Sequence, residues 1–255
     1  MRERLVTRQL DEQLARAFAV GRRLRVLDVG MGRGAQALRL ARLGHWVTGV
    51  ERDPELVAAA RATLTGEPDG IRERVRLVQG EGRDTGVHFL PGSFDVVLCH
   101  GVLMHVAEPD ALVAGLARML APGGLLSLLV RNGDALAMGP GLAGDWAGAL
   151  AALDSAALLP RSRTEADGDT PPAPAPEGRA DRLSALTATL HGIAAPLHAW
   201  YGVQVFAGRV PSAPVSPDEL ETLLAVEERA CRTDPYRGIA ELLHLCGVRG
   251  QSVSL

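Results

Sequence analysis

From residue 25 to residue 131, short apolar runs alternate with stretches of helical spacing, and this alternation constrains the fold more than any other feature. The runs 25–30 (RVLDVG), 46–51 (WVTGVE), 75–79 (VRLVQ), 94–99 (FDVVLC) and 125–131 read as strands. Segments 35–42, 54–65 and 110–120 read as helices. Asp53 is placed as an N-cap before a proline at the first helical position. Pro122-Gly123-Gly124 stops the last of these helices. This succession predicts βαβ units, and so an α/β, Rossmann-like, doubly wound and mostly parallel sheet with helices on both faces.

Outside that stretch, Leu5, Leu10, Leu14 and Phe18 give residues 1–20 amphipathic helix spacing. Residues 183–190 read as a helix, 197–206 as a strand, and 217–231 as a helix capped by Ser216. For 240–248 the period leaves strand and helix both open. Residues 161–180 are rich in proline and charge, which predicts a disordered or polyproline-like surface loop.

Composition excludes several classes. All 27 basic residues are arginine; lysine is absent, Asn132 is the single asparagine, and isoleucine is scarce. The joint loss of chemically unrelated residues points to a GC-rich coding bias, so only arginine position carries information. A formal net charge of −3 argues against a broadly cationic nucleic-acid binder. Cys99, Cys231 and Cys246 are far apart with no CxxC pair, which gives neither a zinc signature nor a disulfide framework and suits a reducing cytoplasm. The charged N-terminus lacks an apolar h-region and no 18-residue apolar run occurs, so neither a signal peptide nor a membrane span is expected.

The strongest local signal is Asp28-Val29-Gly30-Met31-Gly32-Arg33-Gly34, at the end of a strand and the start of a helix. Gly30 suits a tight turn and Gly32 a close ligand approach. Gly30, Gly32 and Ala35 also satisfy the dinucleotide pattern G-x-G-x-x-A, which keeps an NAD-dependent oxidoreductase or a non-catalytic nucleotide-binding module open. Asp28 weighs against both, because a carboxylate there suits a cationic headgroup and repels a pyrophosphate. Glu51 ends the second strand, where an acidic side chain accepts hydrogen bonds from ribose hydroxyls.

With Leu120-Ala121-Pro122-Gly123-Gly124 before the fifth strand, the chain resembles the class I S-adenosylmethionine-dependent methyltransferases over roughly residues 20–131. It is further similar to the tRNA 5-carboxymethoxyuridine methyltransferase family. That likeness rests on Tyr201-Gly202-Val203-Gln204-Val205-Phe206, on the segment from Val226 to Tyr236 (VEERACRTDPY), and on Phe94-Asp95 followed by His100 to Val106 (HGVLMHV). The resemblance implies the class I methyltransferase fold as one domain over 1–255. Residues 20–131 form its cofactor-binding core, 132–182 a helical and Pro-rich insertion, and 183–255 complete the sheet and contribute to acceptor binding. S-adenosylmethionine is the implied cofactor and S-adenosylhomocysteine the product. The implied cofactor-binding residues are Arg2, Asp28, Gly30, Gly32, Gly34, Glu51, Arg52, Glu81, Gly82 and His100. The implied acceptor is a carboxylate on a modified wobble uridine of tRNA, with a small-molecule acceptor as the alternative. Arg131, Asn132, Tyr201, Arg229, Arg232 and Tyr236 are the candidates for binding it, the arginines as bidentate partners and the tyrosines as stacking platforms. A carboxylate acceptor needs no base; a hydroxyl or amine acceptor would use His100 or His105. Cys231 reads as a buried small side chain.

Overall fold

The computed structural model describes residues 1–106, 109–157, 179–207 and 216–250. Its helices are α1 (Arg2–Ala17), α2 (Ala35–Arg42), α3 (Pro54–Thr65), α4 (Asp69–Arg72), α5 (Thr85–His88), α6 (Pro109–Met119), α7 (Met138–Leu142), α8 (Trp146–Ala157), α9 (Leu183–Gly192) and α10 (Pro217–Ala230). Its strands are β1 (Arg25–Val29), β2 (Trp46–Glu51), β3 (Val75–Gln79), β4 (Phe94–His100), β5 (Leu120–Arg131), β6 (Leu197–Val203) and β7 (Leu242–Val248). One seven-stranded sheet runs β3-β2-β1-β4-β5-β7-β6. β3, β2, β1, β4 and β5 pair in parallel, and β7 is antiparallel to both its neighbours.

The apolar pattern explains the layering. Leu10 and Leu14 of α1, with Ala37, Leu40 and Ala41 of α2, bury against Val26, Val96, Leu98 and Leu125 on one face of the sheet. Leu112, Val113 and Leu116 of α6, with Leu186 and Leu190 of α9, cover Leu27, Val97, Leu126 and Leu128 on the other. Two faces each packed by helices require central strands without polar alternation, which is why these strands read as continuous apolar runs. Asp53 caps α3 by accepting from the Glu55 N–H, with Pro54 at the first helical position. Ser216 and Glu219 close a reciprocal capping box at α10.

Several sequence expectations are corrected. The undecided segment 240–248 is a strand: β7 lies between β5 and β6, buried on both faces, and so carries no period-2 signal. β6 stops at Val203 instead of running to residue 206, because Gln204 adopts a left-handed φ of 60° that turns the chain out of the sheet. The helix before the fifth strand ends at Met119, and Pro122-Gly123-Gly124 lies within β5. There the partner of β4 steps from Leu120 opposite Phe94 to Leu125 opposite Val96. A Cβ on Gly124 would stand 2.9 Å from the Asp95 carbonyl oxygen, so this irregular step admits only glycine. Residues 132–157 contain α7 and α8, while the Pro-rich loop expected over 161–180 lies, except for Arg179 and Ala180, outside the described residues. Among the described residues no helix is long and apolar enough to cross a membrane.

Candidate active site

The C-terminal ends of β1, β2 and β4 meet at one edge of the sheet, where parallel α/β folds leave a crevice. Gly30, Gly32 and Gly34 follow β1 with φ of 69°, 57° and 78°, values that side chains with a Cβ rarely adopt. The three serve differently. A Cβ on Gly30 would overlap Val102, so its bareness serves the packing of the loop after β4. A Cβ on Gly32 would meet nothing within 4 Å, which leaves open space over the turn. Gly34 is the N-cap of α2.

Two buried carboxylates line this turn. Glu51, at the end of β2, accepts from the Gly32 N–H through Oε2 and from the Asp53 N–H through Oε1, each at 3.0 Å. Asp28 is 4% exposed, and its Oδ2 is buried with no hydrogen-bond partner. Burial first, and the charge of Glu51 second, push the Asp28 carboxyl up to about 7. An orphaned buried oxygen beside a second carboxylate is a demand for a donor or a cation. The lining therefore fits a ligand carrying positive charge and hydroxyls, as the sulfonium cofactor implied by the sequence does.

His100 closes the site from the end of β4 and is half-buried. Burial, then the nearby charge of Arg2, pull it down to about 4, so the ring is neutral. Arg2 itself is exposed, as is Arg52 beside Glu51. Glu81 is ion-paired with Arg83 at 2.7 Å. Gly82 packs against the end of β1, where a Cβ would lie 2.6 Å from Val29 Cγ1. His105 is exposed on the 3-10 turn Leu103–His105.

The acceptor-side candidates divide. Arg131, the last residue of β5, is half-buried at the same sheet edge. Arg229 is exposed in the last turn of α10, and Tyr236 is 46% exposed near the Phe206 ring. The other three are tied into the fold by the contacts that follow. Asn132 is buried, donates to the Gly238 and Ala240 carbonyls at 2.9 Å, and accepts from the Asp134 N–H at 3.0 Å. Its polar atoms pin β5 to the turn before β7 and do not face a substrate. Tyr201 is 4% exposed behind α1, with its hydroxyl accepting from Gln13 at 2.5 Å, and so offers no face for stacking. Arg232 pairs with Glu12 at 2.6 Å and lies over the Tyr201 ring, which ties the C-terminal segment to α1.

Sequence reasoning missed the polar side chains beneath His100. Ser127 and His244 are fully buried, and Ser127 Oγ lies 2.8 Å from His100 Nε2 and 2.7 Å from His244 Nε2. His244 Nδ1 lies 2.8 Å from Gln9 Oε1 in α1. The available signal was one polar residue inside each of two otherwise apolar strands, LLSLLV and LLHLC.

Residues 27–128 match the family described as a methyltransferase domain. The chain is 27% identical over 252 residues to the tRNA 5-carboxymethoxyuridine methyltransferase of Escherichia coli (strain K12), covering 99% of this chain and 89% of that protein. It is 39% identical over 124 residues to the ubiquinone biosynthesis O-methyltransferase of Xanthomonas campestris pv. campestris (strain B100), 49% of each. Among solved structures, an S-adenosylmethionine-dependent methyltransferase from Mesorhizobium loti shares the fold at a TM-score of 0.56 and 14% identity, over 93% of this chain and 96% of that one.

Proposed function

We propose that the chain, which has the class I methyltransferase fold and a matched methyltransferase domain over residues 27–128, is an S-adenosylmethionine-dependent methyltransferase that methylates the carboxylate of a modified wobble uridine in tRNA, in the cytoplasm. One observation carries the reading: the likeness to the tRNA enzyme extends over 99% of this chain, including the C-terminal segment outside the matched methyltransferase domain.

The cofactor supplies a methyl group on a sulfonium, already activated for in-line displacement. Asp28 and Glu51 would hold it, one carboxylate toward its positive charge and the other toward its ribose hydroxyls, with Gly32 giving the backbone approach. Arg2, Arg52, Glu81, Gly82 and Gly34 would frame the same ligand. Arg131 would fix the acceptor carboxylate by a charge-assisted pair, with Arg229 and Tyr236 on the outer rim. A carboxylate is ionised at neutral pH, so no base is required and catalysis rests on alignment and exclusion of water. A second reading, a small-molecule O-methyltransferase, draws on the 39% identity to the Xanthomonas enzyme; it would recruit His100 as base.

The test incubates purified protein and S-adenosylmethionine with bulk tRNA and, separately, with a small-molecule extract, followed by nucleoside and metabolite mass spectrometry. A methyl ester on a wobble nucleoside, lost in Arg131→Met, is the expected result. A methylated metabolite with unchanged tRNA overturns the tRNA reading.

A further inference from the structure

The buried chain beneath His100 has a readable direction. Gln9 Nε2 lies 3.5 Å from the Gly202 carbonyl oxygen, which only accepts, so the amide nitrogen points there and Oε1 points to His244. Oε1 in turn only accepts, and His244 Nδ1 must donate to it. A neutral imidazole carries one N–H, so His244 Nε2 is an acceptor and takes the Ser127 hydroxyl proton. With its proton committed, Ser127 Oγ receives one from His100 Nε2. The remaining nitrogen of His100, Nδ1, is left with a bare lone pair and has no hydrogen-bond partner among the described residues.

We propose that Gln9, Ser127 and His244 are positioning residues that hold His100 as the neutral Nε2–H tautomer, so that Nδ1 takes a hydrogen bond from an N–H or O–H donor of the bound cofactor. The tautomer follows from the hydrogen-bond chain alone; the role of Nδ1 rests on the methyltransferase reading. Its chemistry agrees with the rest of the site. Asp28, Glu51 and Nδ1 all accept, which suits a donor-rich cationic ligand, and a protonated ring would repel a sulfonium.

The groups facing the two rings support neutrality. Arg2 of α1 adds positive charge near His100. Tyr201 of β6 has its ring centroid 5.8 Å from that of His244, and Cys246 Sγ of β7 lies 3.7 Å from His244 Nε2. Burial raises both Tyr201 and Cys246, so neither is anionic at neutral pH. The two imidazoles are 5.6 Å apart, and burial holds His244 well below the ordinary histidine value. Asp28 on the neighbouring β1 and Glu51 on β2 are the acidic groups of the site, and burial followed by the charge of Glu51 raises the Asp28 carboxyl to about 7.

The experiment is 15N NMR of the full chain labelled at its seven histidines, with His100→Gln and His244→Gln spectra giving the assignments. In the wild-type protein His100 should show a protonated Nε2 and a bare Nδ1, with no titration between about pH 5.5 and pH 8. Ser127→Ala should mix the tautomers and move the titration of His100 up toward the ordinary range. Ser127→Thr, which keeps the hydroxyl, should restore the wild-type pattern. A protonated Nδ1 or an imidazolium at neutral pH in the wild-type protein overturns the proposal, whatever the variants do. Adding S-adenosylhomocysteine should then shift Nδ1. Calorimetric binding without any Nδ1 shift overturns the role given to that nitrogen. Failure of S-adenosylhomocysteine to bind at all counts against the methyltransferase reading, and the tautomer measurement in the free protein still stands or falls by itself.

Discussion

Asp28 carries the largest unanswered electrostatic demand among the described side chains of the site. Its Oδ2 has no partner, and its acidity is shifted from 3.8 to about 7 by burial and by Glu51. Between those values the folded chain keeps a proton that the unfolded chain has released. The contribution of this carboxyl to stability therefore falls as pH rises through that window and is lowest above about 7. Asp28→Asn removes the ionisation, and it should stabilise the ligand-free protein by about 2 kcal/mol at pH 8 with little gain near pH 4. The same variant should weaken S-adenosylmethionine binding at least tenfold. Urea unfolding at the two pH values and titration calorimetry read both effects; a stability gain equal at both pH values would refute the assignment. Asp28 and Glu51 stood out in the sequence because one stands next to a glycine turn and the other ends the second strand of an alternating strand–helix pattern. Asn132 and Tyr201 were misjudged because a residue's type does not reveal whether its polar atoms already have partners. Asn132 has three backbone partners and Tyr201 has Gln13.

At the scale of elements, one buried glutamate decides how the chain leaves the sheet after β6. Glu227 of α10 is fully buried, and its carboxylate accepts from the N–H groups of Val205, Phe206 and Ala207 at 2.9, 2.8 and 2.7 Å. Those three donors follow directly on Gln204, whose left-handed conformation aims them at the helix. The bonds join α10 to the end of β6 and bring the Arg229–Tyr236 segment against α1. Glu227→Ala should leave three N–H groups unpaired and lower stability by about 3–5 kcal/mol. Glu227→Gln, which keeps one accepting oxygen, should lose about half of that. Chemical unfolding of the two variants tests the ordering, and equal losses would mean that packing and not the carboxylate holds the turn. None of this was legible beforehand. The pattern that fixes a strand's interior is apolar burial, whereas its end at Val203 depends on a helical residue more than twenty positions away, beyond any local window.

For the whole molecule, the parallel core and the C-terminal strands share one sheet, and α1 lies across the joint. Leu10 and Leu14 bury against β1, β4, β5 and β7, Gln9 reaches His244, and Glu12 holds Arg232. This explains why the alternation of residues 25–131 predicted the fold class while the closing segment stayed ambiguous. The alternation reports a parallel core covered by helices on both faces directly, but β7 gains its identity only by insertion between β5 and β6. Arginine position, not number, mattered in the same way, since Arg4, Arg8 and Arg232 pair with Glu221, Glu228 and Glu12 and stitch α1 to the C-terminal part. A cofactor seated on the ends of β1, β2 and β4 should therefore stabilise the molecule as one unit, with the C-terminal strands included. At a ligand concentration of about 100 Kd, S-adenosylhomocysteine should add about 2.7 kcal/mol. For a chain of this size that corresponds to a rise in Tm of about 5–10 °C in a single transition. NAD should give no rise, because its pyrophosphate would face the buried Asp28 carboxyl. Differential scanning fluorimetry with both ligands, read alongside hydrogen exchange of β7, tests this. Protection confined to β1 and β2, or stabilisation by NAD, would contradict the coupling of the site to the whole sheet.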